Sequence, residues 1–455
     1  MAGYPATLIK LSRLVEEQGG ILYAVGGQVR NPLLGLPISD RDVTSRLTPD
    51  TVISIAKREG IRVIEKGIAF GTVELHMGPD SYEHTTFRSD SYGEGGGHRP
   101  ENVRFSKSLE EDAFRRDFTV NALYQNVLTG EIADPTGGLA DIRARLIRAT
   151  NPDPGVIMRD DALRILRMVR FACELGFDIE PATFASAKNN VQGLSDISCE
   201  RIRDELNKIL LSDARYGMRG GCLKGLKLLD GLGALDIILP ELTRGRGLSQ
   251  KKQYHAHDVL LHSLNTAQET PPDLTLRLAG LLHDVGKPVV REATGRMLNH
   301  DIAGEPIARE ILTRLRYPNS VTRDVCELVL HHMYDLTGRA KDSTLREKFA
   351  LMGYDTALRL CDIREADVHG SGIITGPVET SERWRDILAR MKAEGAPFSQ
   401  SELCCTGADI QRWLSLPPGE RIGEIKQRLF LHCARKPQDN TQERLKKLAK
   451  DMMKK

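Results

Sequence analysis

The hydrophobic pattern of this chain changes near residue 160, and that change constrains the fold more than any other feature. Before it, short apolar runs such as residues 21–25 and 61–64 alternate with glycine-containing turns, which is typical of a small domain of strands and helices. After it, apolar residues recur with helical spacing, first over residues 160–175, where Gly176 follows as a C-cap. The pattern predicts an α+β protein with a small mixed α/β head followed by a long all-α body.

The same patterns predict individual elements. In the head we expect strands at 71–75 and 103–105 and helices at 51–59 and 109–121, and in the body helices at 200–211 and 222–229. Residues 92–98 are so rich in glycine that we expect a mobile loop there. Pro240 and the glycines at 245 and 247 predict a linker before a histidine-rich block.

Composition excludes several classes of protein. Lys+Arg total 64 and Asp+Glu 62, a net charge of +2, so the chain is neither a histone-like nucleic-acid binder nor an acidic tail protein. It has no run of about 18 apolar residues, so no membrane span is expected. The N-terminus lacks a basic region followed by an apolar stretch, and the eight cysteines form no CxxC pair. We therefore expect no secretory signal, reduced thiols and a cytoplasmic location.

Two acidic residues follow a double glycine in the head. Asp40 and Asp42 are two residues apart, so on a strand both carboxylates point to the same side. Such a pair suits Mg²⁺, a hard ion that completes its shell with substrate phosphates. Gly26 and Gly27 end an apolar run and let backbone N–H groups approach phosphates closely. An isolated Asp-x-Asp is common in solvated loops, but with a strand and a double glycine it predicts a nucleotide and metal site.

Residues 25–44 resemble the signature motif of the class II tRNA nucleotidyltransferase and bacterial poly(A) polymerase family, which belongs to the polymerase-β-like nucleotidyltransferases. The likeness continues through residues 83–88, 115–123 and 134–142. It implies that an RNA 3′-hydroxyl attacks the α-phosphate of a nucleoside triphosphate and that pyrophosphate is released. It also implies Mg²⁺ in the head, held by Asp40 and Asp42 as the catalytic residues.

The resemblance assigns further residues to the nucleotide. Motif arginines bind the triphosphate, an aspartate is a candidate for the ribose hydroxyls, and an asparagine orients its neighbours; the matching residues are Arg30, Arg116, Asp117 and Asn121. The alternative for Arg115 and Arg116 is a solvated helix face. One departure is Asn31, where family members usually have Asp. The amide keeps hydrogen bonding but loses a charge, which removes any ionic partnership at that position.

A second candidate site lies where the helical body begins. Asp161 and Arg164 are three residues apart, so on a helix they share a face. A carboxylate beside a guanidinium is complementary to C and A, which present an amino donor next to a bare ring nitrogen, and mismatched to U and G. An ordinary salt bridge has the same spacing, but the family selects CTP and ATP with an acid-Asp-x-x-Arg motif at this place. Asp160 matches the first position of that motif, where the family usually has Glu. We include Arg167 among the nucleotide-binding residues. We expect Glu200 to brace the helix that carries Asp161 and Arg164.

Histidines mark a third candidate site. Of three His-Asp dipeptides, His283-Asp284 ends an apolar helix and precedes Gly-Lys, and this stretch is similar to the HD-domain metallohydrolase motif. The resemblance implies an earlier histidine, best matched by His262, and a later aspartate, for which we prefer Asp367 to Asp362. Such a set suits a divalent metal (Mg, Mn, Ni or Co) that activates water for phosphoester hydrolysis. Further candidates for metal binding are His300, His331 and His332. A degenerate HD fold kept as helical scaffold is the alternative.

By this resemblance the chain has four parts: a nucleotidyltransferase head at 1–150, neck helices for nucleobase recognition and RNA binding at 151–248, an HD domain at 249–375 and a tRNA-binding tail at 376–455. In the family the body and tail bind the acceptor and TΨC arms of tRNA, and the basic segment 444–455 fits phosphate contact. The expected partners are tRNA, CTP and ATP, with no membrane and no obligate protein partner.

The chain is therefore interpreted as a CCA-adding tRNA nucleotidyltransferase with an appended HD domain. Alternatives in the same chemistry add only CC or only A, or are poly(A) polymerases. The glycine-rich segment between Arg88 and Arg99 favours full CCA or A addition, because enzymes restricted to CC tend to shorten it. Alternatives of other classes are an HD-type nucleotide hydrolase with an inactive head and an RNA-binding structural protein; the intact aspartates at 40, 42, 117 and 161 argue against the former.

Overall fold

The computed structural model describes residues 4–38, 41–65, 67–91, 102–251 and 253–453. Asp40, Arg99 and the glycine-rich segment 92–98 lie outside these ranges. The chain divides into two compact units, Met1–Pro240 and Glu241–Lys455. All strands of the described residues belong to the first unit, and the second is helical. The predicted fold class, a mixed α/β head followed by a mostly helical body, is confirmed.

The strands of the described residues are β1 (Tyr23–Val25), β2 (Asp42–Ser45), β3 (Arg62–Ile64), β4 (Thr72–Met77), β5 (Asp80–Thr86), β6 (Arg88–Ser91), β7 (Asn102–Phe105), β8 (Tyr124–Asn126), β9 (Ile132–Ala133), β10 (Leu146–Ile147) and β11 (Asp178–Ile179). Seven of them form a mixed sheet in the order β3-β4-β5-β2-β1-β8-β9. Within it β2 and β5 are parallel, and β1 is antiparallel to both β2 and β8. β6 pairs with β7, and β10 with β11. The centre of the sheet therefore consists of β2 and its neighbours β1 and β5.

The helices of the first unit are α1 (Ala6–Glu17), α2 (Gly27–Leu33), α3 (Pro49–Arg58), α4 (Leu109–Phe114), α5 (Gly138–Ala144), α6 (Pro154–Asp160), α7 (Leu163–Glu174), α8 (Pro181–Asn189), α9 (Cys199–Leu210), α10 (Ser212–Tyr216), α11 (Gly221–Leu232) and α12 (Ala234–Ile238), and α13 (Pro240–Thr243) begins at its boundary. Helix α4 packs its Ala113 into a core cluster with Val25, Phe87, Ala122 and Tyr124. This cluster joins α4 to the end of β1, where the candidate site lies.

Two helix predictions were wrong in extent. The helix expected at 109–121 ends at Phe114, because Phe118 adopts extended backbone and forms a β-bridge with Ala149. The helix expected at 160–175 is two helices, since Asp161 interrupts it with φ −149° and ψ 102°. Gly176, with φ +66°, does follow the second of them in the left-handed conformation that a terminating glycine adopts.

The second unit contains α14 (Val259–Glu269), α15 (Leu274–Leu282), α16 (Lys287–Thr294), α17 (His300–Arg314), α18 (Asn319–His331), α19 (Asp342–Met352), α20 (Tyr354–Gly370), α21 (Glu379–Ala393), α22 (Gly407–Leu414), α23 (Glu420–Arg435) and α24 (Gln442–Met452). Trp384 on α21 is fully buried, with the rings of Phe349 and Tyr334 at centroid distances of 6.1 and 6.5 Å. Trp413, the other tryptophan of the chain, also lies in this unit. Within the described ranges, none of the helices is both long and apolar enough to cross a membrane.

Candidate functional site

The first unit contains a cavity of about 480 Å³ that is lined mainly by charged side chains. Its basic lining residues are Arg30, Arg115, Arg116, Arg164, Arg167, Arg170, Arg201, Lys208 and Arg215, and its acidic ones are Asp42, Asp117, Asp161 and Glu174. The predicted site residues that line it are Gly26, Gly27, Arg30, Asp42, Arg116, Asp117, Asn121, Asp161, Arg164 and Arg167. The excess of cations makes the cavity complementary to a polyanion such as a triphosphate.

Gly26 joins β1 to α2 and brings the chain close to Asp42. Because β1 and β2 are antiparallel with Ala24 opposite Val43, the end of β1 lies beside the start of β2. Gly26 has φ +67° and ψ −131°, a conformation that side chains disfavour. A Cβ there would lie 3.8 Å from Asp42 Oδ2. The carboxylate at the head of β2 thus fits a divalent cation beside a phosphate. The predicted pairing of Asp42 with Asp40 falls outside the described residues and stays a prediction.

Arg30 lies on α2 and is buried. Its Nε and Nη2 donate to Asn31 Oδ1 at 3.1 and 2.9 Å, and its Nη1 donates to Asn121 Oδ1. Burial lowers the pKa of Arg30, against the raising effect of Tyr216 and Glu174. The guanidinium therefore supplies charge to the cavity wall from a fixed position.

Asn31, where the family usually has Asp, is hydrogen-bonded on both sides of its amide. Besides accepting from Arg30, it donates from Nδ2 to Pro37 O at 2.8 Å and to the Tyr216 hydroxyl at 3.0 Å. Arg215 Nε also donates to that hydroxyl, at 3.2 Å. Burial acts to raise the pKa of Tyr216, but the hydrogen bonds from Arg215 and Asn31 lower it. Asn31 thus contacts a tyrosine 185 positions away, which no local sequence signal reveals.

Asp117 anchors an arginine in the cavity. Arg167 Nε and Nη2 donate to Asp117 Oδ2 at 2.8 and 2.6 Å, while Asn121 Nδ2 and Phe118 N donate to Oδ1 at 3.1 and 2.8 Å. Burial acts to raise the pKa of Asp117, but Arg167 and Asn121 lower it to about 2. The carboxylate is ionised and already accepts four hydrogen bonds, so its evident role in this structure is to position Arg167.

Arg116 is held in a similar way by Asp112. Its Nε lies 3.2 Å from Asp112 Oδ2 and donates to the Tyr124 hydroxyl at 2.9 Å. Arg115 pairs with the other oxygen of Asp112 at 2.6 Å. Burial acts to raise the pKa of Asp112, but the two arginines lower it to about 2. Neither arginine occupies a merely solvated helix face, since both line the cavity.

Phe171 was not predicted as a site residue, although its ring lies against three guanidinium groups. The Cζ atoms of Arg170, Arg30 and Arg167 lie 4.2, 5.2 and 5.4 Å from the ring centroid. The ring face stabilises cations that repel one another. In the sequence, Phe171 lies four residues after Arg167, and this spacing places the two side chains on the same face of α7. A single aromatic side chain therefore contacts three of the basic residues that line the cavity.

Asp161 lies at the break between α6 and α7 and pairs with an unexpected partner. Its Oδ2 accepts from Arg201 Nη2 at 2.7 Å, and its Oδ1 accepts from Leu163 N at 3.1 Å. Arg164 donates instead to the backbone carbonyls of Ile157 and Arg115, at 3.2 and 2.9 Å. Asp161 and Arg164 both line the cavity, but on a helix break rather than on one helical face.

The neighbours of this pair differ from expectation. Asp160 lies 3.9 Å from Arg164 and is not among the described residues that line the cavity. Glu200 is exposed, so the contact from α9 to Asp161 comes from Arg201 instead. The helix that contains Arg201 was predicted, but Arg201 itself was not predicted as a site residue. Lys208, Arg215 and Tyr216 were likewise missed.

In the second unit, the four predicted HD ligands converge. His262 Nε2 lies 3.3 Å from Asp284 Oδ2 and 3.1 Å from Asp367 Oδ1. His283 Nε2 lies 3.2 and 3.5 Å from the same two oxygens. Asp362, the alternative ligand, instead accepts a hydrogen bond from Arg385 at 2.7 Å. Imidazole nitrogens and carboxylate oxygens that face one another in a buried site form a donor set that fits a divalent metal.

The other oxygen of Asp284 faces two more histidines. His300 Nε2 and His332 Nε2 lie 3.1 and 3.8 Å from Asp284 Oδ1 and 3.1 Å from each other. His331, the third additional candidate, instead lies with its Nε2 3.0 Å from Lys348 Nζ. Burial and the neighbouring His283 lower the pKa of His332 to about 3. The structure thus separates His300 and His332, which belong to the centre, from His331, which does not.

A cleft of about 760 Å³ adjoins this centre. Its basic lining residues are Lys251, Lys287, Arg291 and Arg296, and its large apolar ones are Tyr254, Met297, Leu298 and Met333. Lys287 Nζ lies 2.5 Å from Asp284 Oδ2, which links cleft and centre. Acidic side chains are missing from the cleft lining within the described residues. This combination suits a phosphate-bearing molecule with an apolar part.

Three family models match the chain. They are "Poly A polymerase head domain" over residues 22–148, "Probable RNA and SrmB- binding site of polymerase A" over residues 176–245 and "HD domain" over residues 254–369. The cationic cavity is lined from the first two regions and the segment between them, and the histidine centre from the third.

Characterised relatives match over different lengths. A CCA-adding enzyme of Geobacillus stearothermophilus is 31% identical over 433 residues, covering 95% of this chain and 93% of that protein. A CCA-adding enzyme of Limosilactobacillus fermentum is 43% identical over 45% of this chain and 49% of that protein, so the match spans about half of that relative. An A-adding tRNA nucleotidyltransferase of Deinococcus radiodurans is 34% identical over 71% of this chain and 75% of that protein.

Among solved structures, the Bacillus stearothermophilus CCA-adding enzyme in complex with CTP superimposes with a TM-score of 0.73 at 26% identity. The match covers 98% of this chain and 97% of that one.

Proposed function

The chain belongs to the class II CCA-adding enzyme and poly(A) polymerase family, and we propose that it adds CCA to the 3′ end of tRNA from CTP and ATP without a nucleic-acid template. The observation that carries this proposal is the cavity of the first unit, where the glycine turn, Asp42 and the Asp161–Arg164 region face one another among excess cations. In the proposed reaction the RNA 3′-oxygen forms a bond to the α-phosphorus. The bond from that phosphorus to the β-phosphate oxygen breaks, and pyrophosphate leaves.

The triphosphate is proposed to lie against the turn at Gly26 and Gly27 and against the arginine side chains that line the cavity. Backbone N–H groups at Gly26 and Gly27 approach the phosphates, while Arg30 and Arg116 balance their charge. Mg²⁺ held by Asp42, with Asp40 as its predicted partner, supplies activation of the 3′-hydroxyl and neutralisation of the leaving oxygens. The arginines are already fixed by protein hydrogen bonds, so binding orders few side chains.

Base selection is proposed to depend on Asp161 and Arg164. The carboxylate accepts from the amino group of cytosine or adenine, and the guanidinium donates to the adjacent ring nitrogen. Arg201 keeps the Asp161 carboxylate in place from α9. UTP and GTP present a carbonyl to that carboxylate and are rejected, because two acceptors would face each other.

The second unit is proposed to act as a metal-dependent phosphohydrolase, either a phosphatase or a phosphodiesterase. His262, His283, Asp284 and Asp367 are the proposed ligands of a divalent ion (Mg, Mn, Ni or Co), which when bound supplies an activated water. The adjoining cleft favours this function, because its cations match a phosphate ester and its apolar residues match an attached base or ring.

The remaining assignments follow the family. The neck at 151–248 and tail at 376–455 are proposed to bind the acceptor and TΨC arms of tRNA, with the head at 1–150 and the HD domain at 249–375 as the two chemical parts. The proposed location is the cytoplasm, where tRNA is processed.

The test is to supply tRNAs that lack CCA, CA or A and to resolve the products at nucleotide resolution. Full CCA addition extends all three to the same end, A addition extends only the tRNA that ends in CC, and poly(A) synthesis adds a ladder. Asp42→Ala should abolish incorporation of CTP and ATP while hydrolysis of a phosphoester probe by the second unit persists. His283→Ala should show the reverse.

Other outcomes identify the other classes. A wild-type chain that hydrolyses phosphoesters but incorporates no nucleotide is an HD-type hydrolase with an inactive head. A chain that binds tRNA and releases no pyrophosphate is an RNA-binding structural protein. Unchanged incorporation by Asp42→Ala refutes the assignment of the catalytic carboxylate.

A further inference from the structure

Tyr216 lines the cationic cavity, and the hydrogen of its hydroxyl group forms no hydrogen bond within the described ranges. We propose that this hydroxyl donates to a phosphate oxygen of the bound substrate and that Asn31 directs the hydrogen there. The inference rests on the proposed transferase function and deepens it by one substrate-contacting residue. The oxygen belongs either to the triphosphate of the nucleotide or to a backbone phosphate of the RNA, and separate binding measurements distinguish the two.

The orientation of the Asn31 amide is fixed by groups that have a single hydrogen-bonding role. Its Oδ1 accepts from Arg30 Nε and Nη2 at 3.1 and 2.9 Å, and a guanidinium can only donate. Its Nδ2 donates to Pro37 O at 2.8 Å, and a carbonyl oxygen can only accept. Asn31 is only 1% exposed, so water competes little for these contacts. The amide nitrogen therefore faces the Tyr216 hydroxyl, 3.0 Å away, as a donor.

The hydroxyl oxygen of Tyr216 accepts from two donors. Besides Asn31 Nδ2, Arg215 Nε donates to it at 3.2 Å. A phenolic hydroxyl has two lone pairs and one hydrogen, so both acceptor positions are used and only donation remains. Two donors on the same oxygen also polarise the O–H bond, which strengthens the hydrogen bond that it can donate.

The charges around this hydroxyl favour an anionic acceptor. Arg215 donates to it directly, and Arg30 donates to the amide that faces it. The carboxylate of Glu174 lies 4.0 Å from Arg215 Nε, but no hydrogen bond joins it to the Tyr216 hydroxyl in the described part of the chain. Nine basic and four acidic side chains line the cavity as a whole. A phosphate oxygen complements both the free hydrogen and the excess of positive charge.

The residue at position 31 decides where the hydroxyl hydrogen points. An aspartate there, which the family usually has, could only accept a hydrogen bond. The Tyr216 hydroxyl would then donate to that carboxylate, because an ionised acceptor is stronger than a neutral one. Its hydrogen would no longer be available to a phosphate. The amide of Asn31 has the opposite polarity and leaves the hydrogen free for the contents of the cavity.

The test is a double-mutant cycle on ligand binding. The full-length wild type, Tyr216→Phe, Asn31→Asp and the double variant are each titrated with CTP and Mg²⁺, and separately with tRNA that lacks CCA. In the wild-type background, loss of the hydroxyl should weaken one of the two ligands about tenfold, or about 1.4 kcal/mol, as expected for a hydrogen bond to a charged group at a half-buried position. Asn31→Asp alone should weaken the same ligand, because it turns the hydrogen away. In that background, the further loss of the hydroxyl should change either affinity by less than about twofold.

Tyr4→Phe is the matched control. The Tyr4 hydroxyl donates to Gln125 in the same unit, and Tyr4 is not among the described residues that line the cavity. Its replacement removes one tyrosine hydrogen bond and should leave both affinities within about twofold of wild type. Cytidine, which has no phosphate, should bind Tyr216→Phe as it binds the wild type.

The outcomes separate this inference from the proposed transferase function. Weaker CTP binding by Tyr216→Phe assigns the hydroxyl to the triphosphate, and weaker tRNA binding assigns it to an RNA phosphate. Unchanged affinity for both, in a chain whose wild type incorporates CTP, refutes the inference and leaves the transferase standing. An equal loss for CTP, cytidine and tRNA refutes the phosphate contact, because a distorted cavity weakens all three. An equal loss in both backgrounds refutes the role of Asn31. A wild-type chain that incorporates neither CTP nor ATP refutes the transferase function and the inference with it.

Discussion

Replacing Arg201 by Met tests how Asp161, the carboxylate proposed to select the base, is held. In the wild type, Arg201 donates to Asp161 at 2.7 Å, and the Asp161 side chain is only 15% exposed. Hydrogen bonds to charged groups contribute about 1.5–3 kcal/mol, and the partial exposure of Arg201 places this one near the lower end, about 1.5–2 kcal/mol. If the bond serves to orient Asp161, losing it should lower discrimination between CTP and UTP by roughly 10- to 30-fold.

The assay is single-turnover incorporation of each of the four nucleotides into tRNA that lacks CCA. Arg203→Met is a matched control, because Arg203 lies on the same helix and pairs with Asp204 outside the cavity. Arg201→Lys should restore part of the discrimination, since it keeps the charge. A CTP-to-UTP ratio within twofold of wild type in Arg201→Met would refute the reasoning. An equal loss for all four nucleotides would show that Arg201 acts on phosphate binding or folding instead.

Three further substitutions test other parts of the structure. Burial lowers the pKa of His84 from 6.5 to about 4, so as pH falls the unfolded chain takes up a proton before the folded protein does, and folding stability is lost between those two pH values. From pH 7.5 to pH 5 the expected loss in the free energy of unfolding is about 2 kcal/mol, and it should be absent in His84→Gln. Hydrogen exchange of peptides from β4 and β5 measures this loss. Gly286→Ala places its Cβ against the backbone of His300 and Gly304 and should lower the free energy of unfolding by roughly 1–3 kcal/mol. Gly376→Ala, with open space around it, is the matched control and should not, and melting curves check both. Tyr216→Phe removes the acceptor for Asn31 and Arg215 and should lower the free energy of unfolding by about 1 kcal/mol in urea titrations.

Local signals in the sequence identified residues whose roles depend on neighbours in the chain. The double glycine and Asp42 come together because β1 and β2 are adjacent antiparallel strands, a short-range consequence of the apolar pattern. The proposed HD ligands His283 and Asp284 were recognisable because an apolar helix precedes them. His262 and Asp367 are 105 residues apart, so no periodicity in the sequence links them. They were predicted to act together because the chain resembles the HD-domain motif.

The residues that sequence reasoning missed are those fixed by tertiary contacts. Residues 160–162, Asp-Asp-Ala, contain neither Pro nor Gly, and their helix propensities differ by less than 1 kcal/mol, so nothing local marks the break at Asp161. A charge-assisted bond to Arg201 outweighs such a difference. Tyr216 and Phe171 likewise reach the cavity through the packing of α10 and α7. Patterns with a period of two or 3.6 residues carry no information about such contacts.

The placement of the tryptophans has a practical consequence for studying communication within the molecule. Trp384 and Trp413 both belong to the unit that contains the HD centre, whereas the described residues that line the cationic cavity all belong to the other unit. Tryptophan fluorescence, excited at the long-wavelength edge of protein absorbance, therefore reports on the second unit only. A spectral change on titration with CTP would reveal energetic coupling between the cationic cavity and the HD centre without any attached dye. A silent titration would show that CTP leaves the surroundings of both tryptophans unchanged.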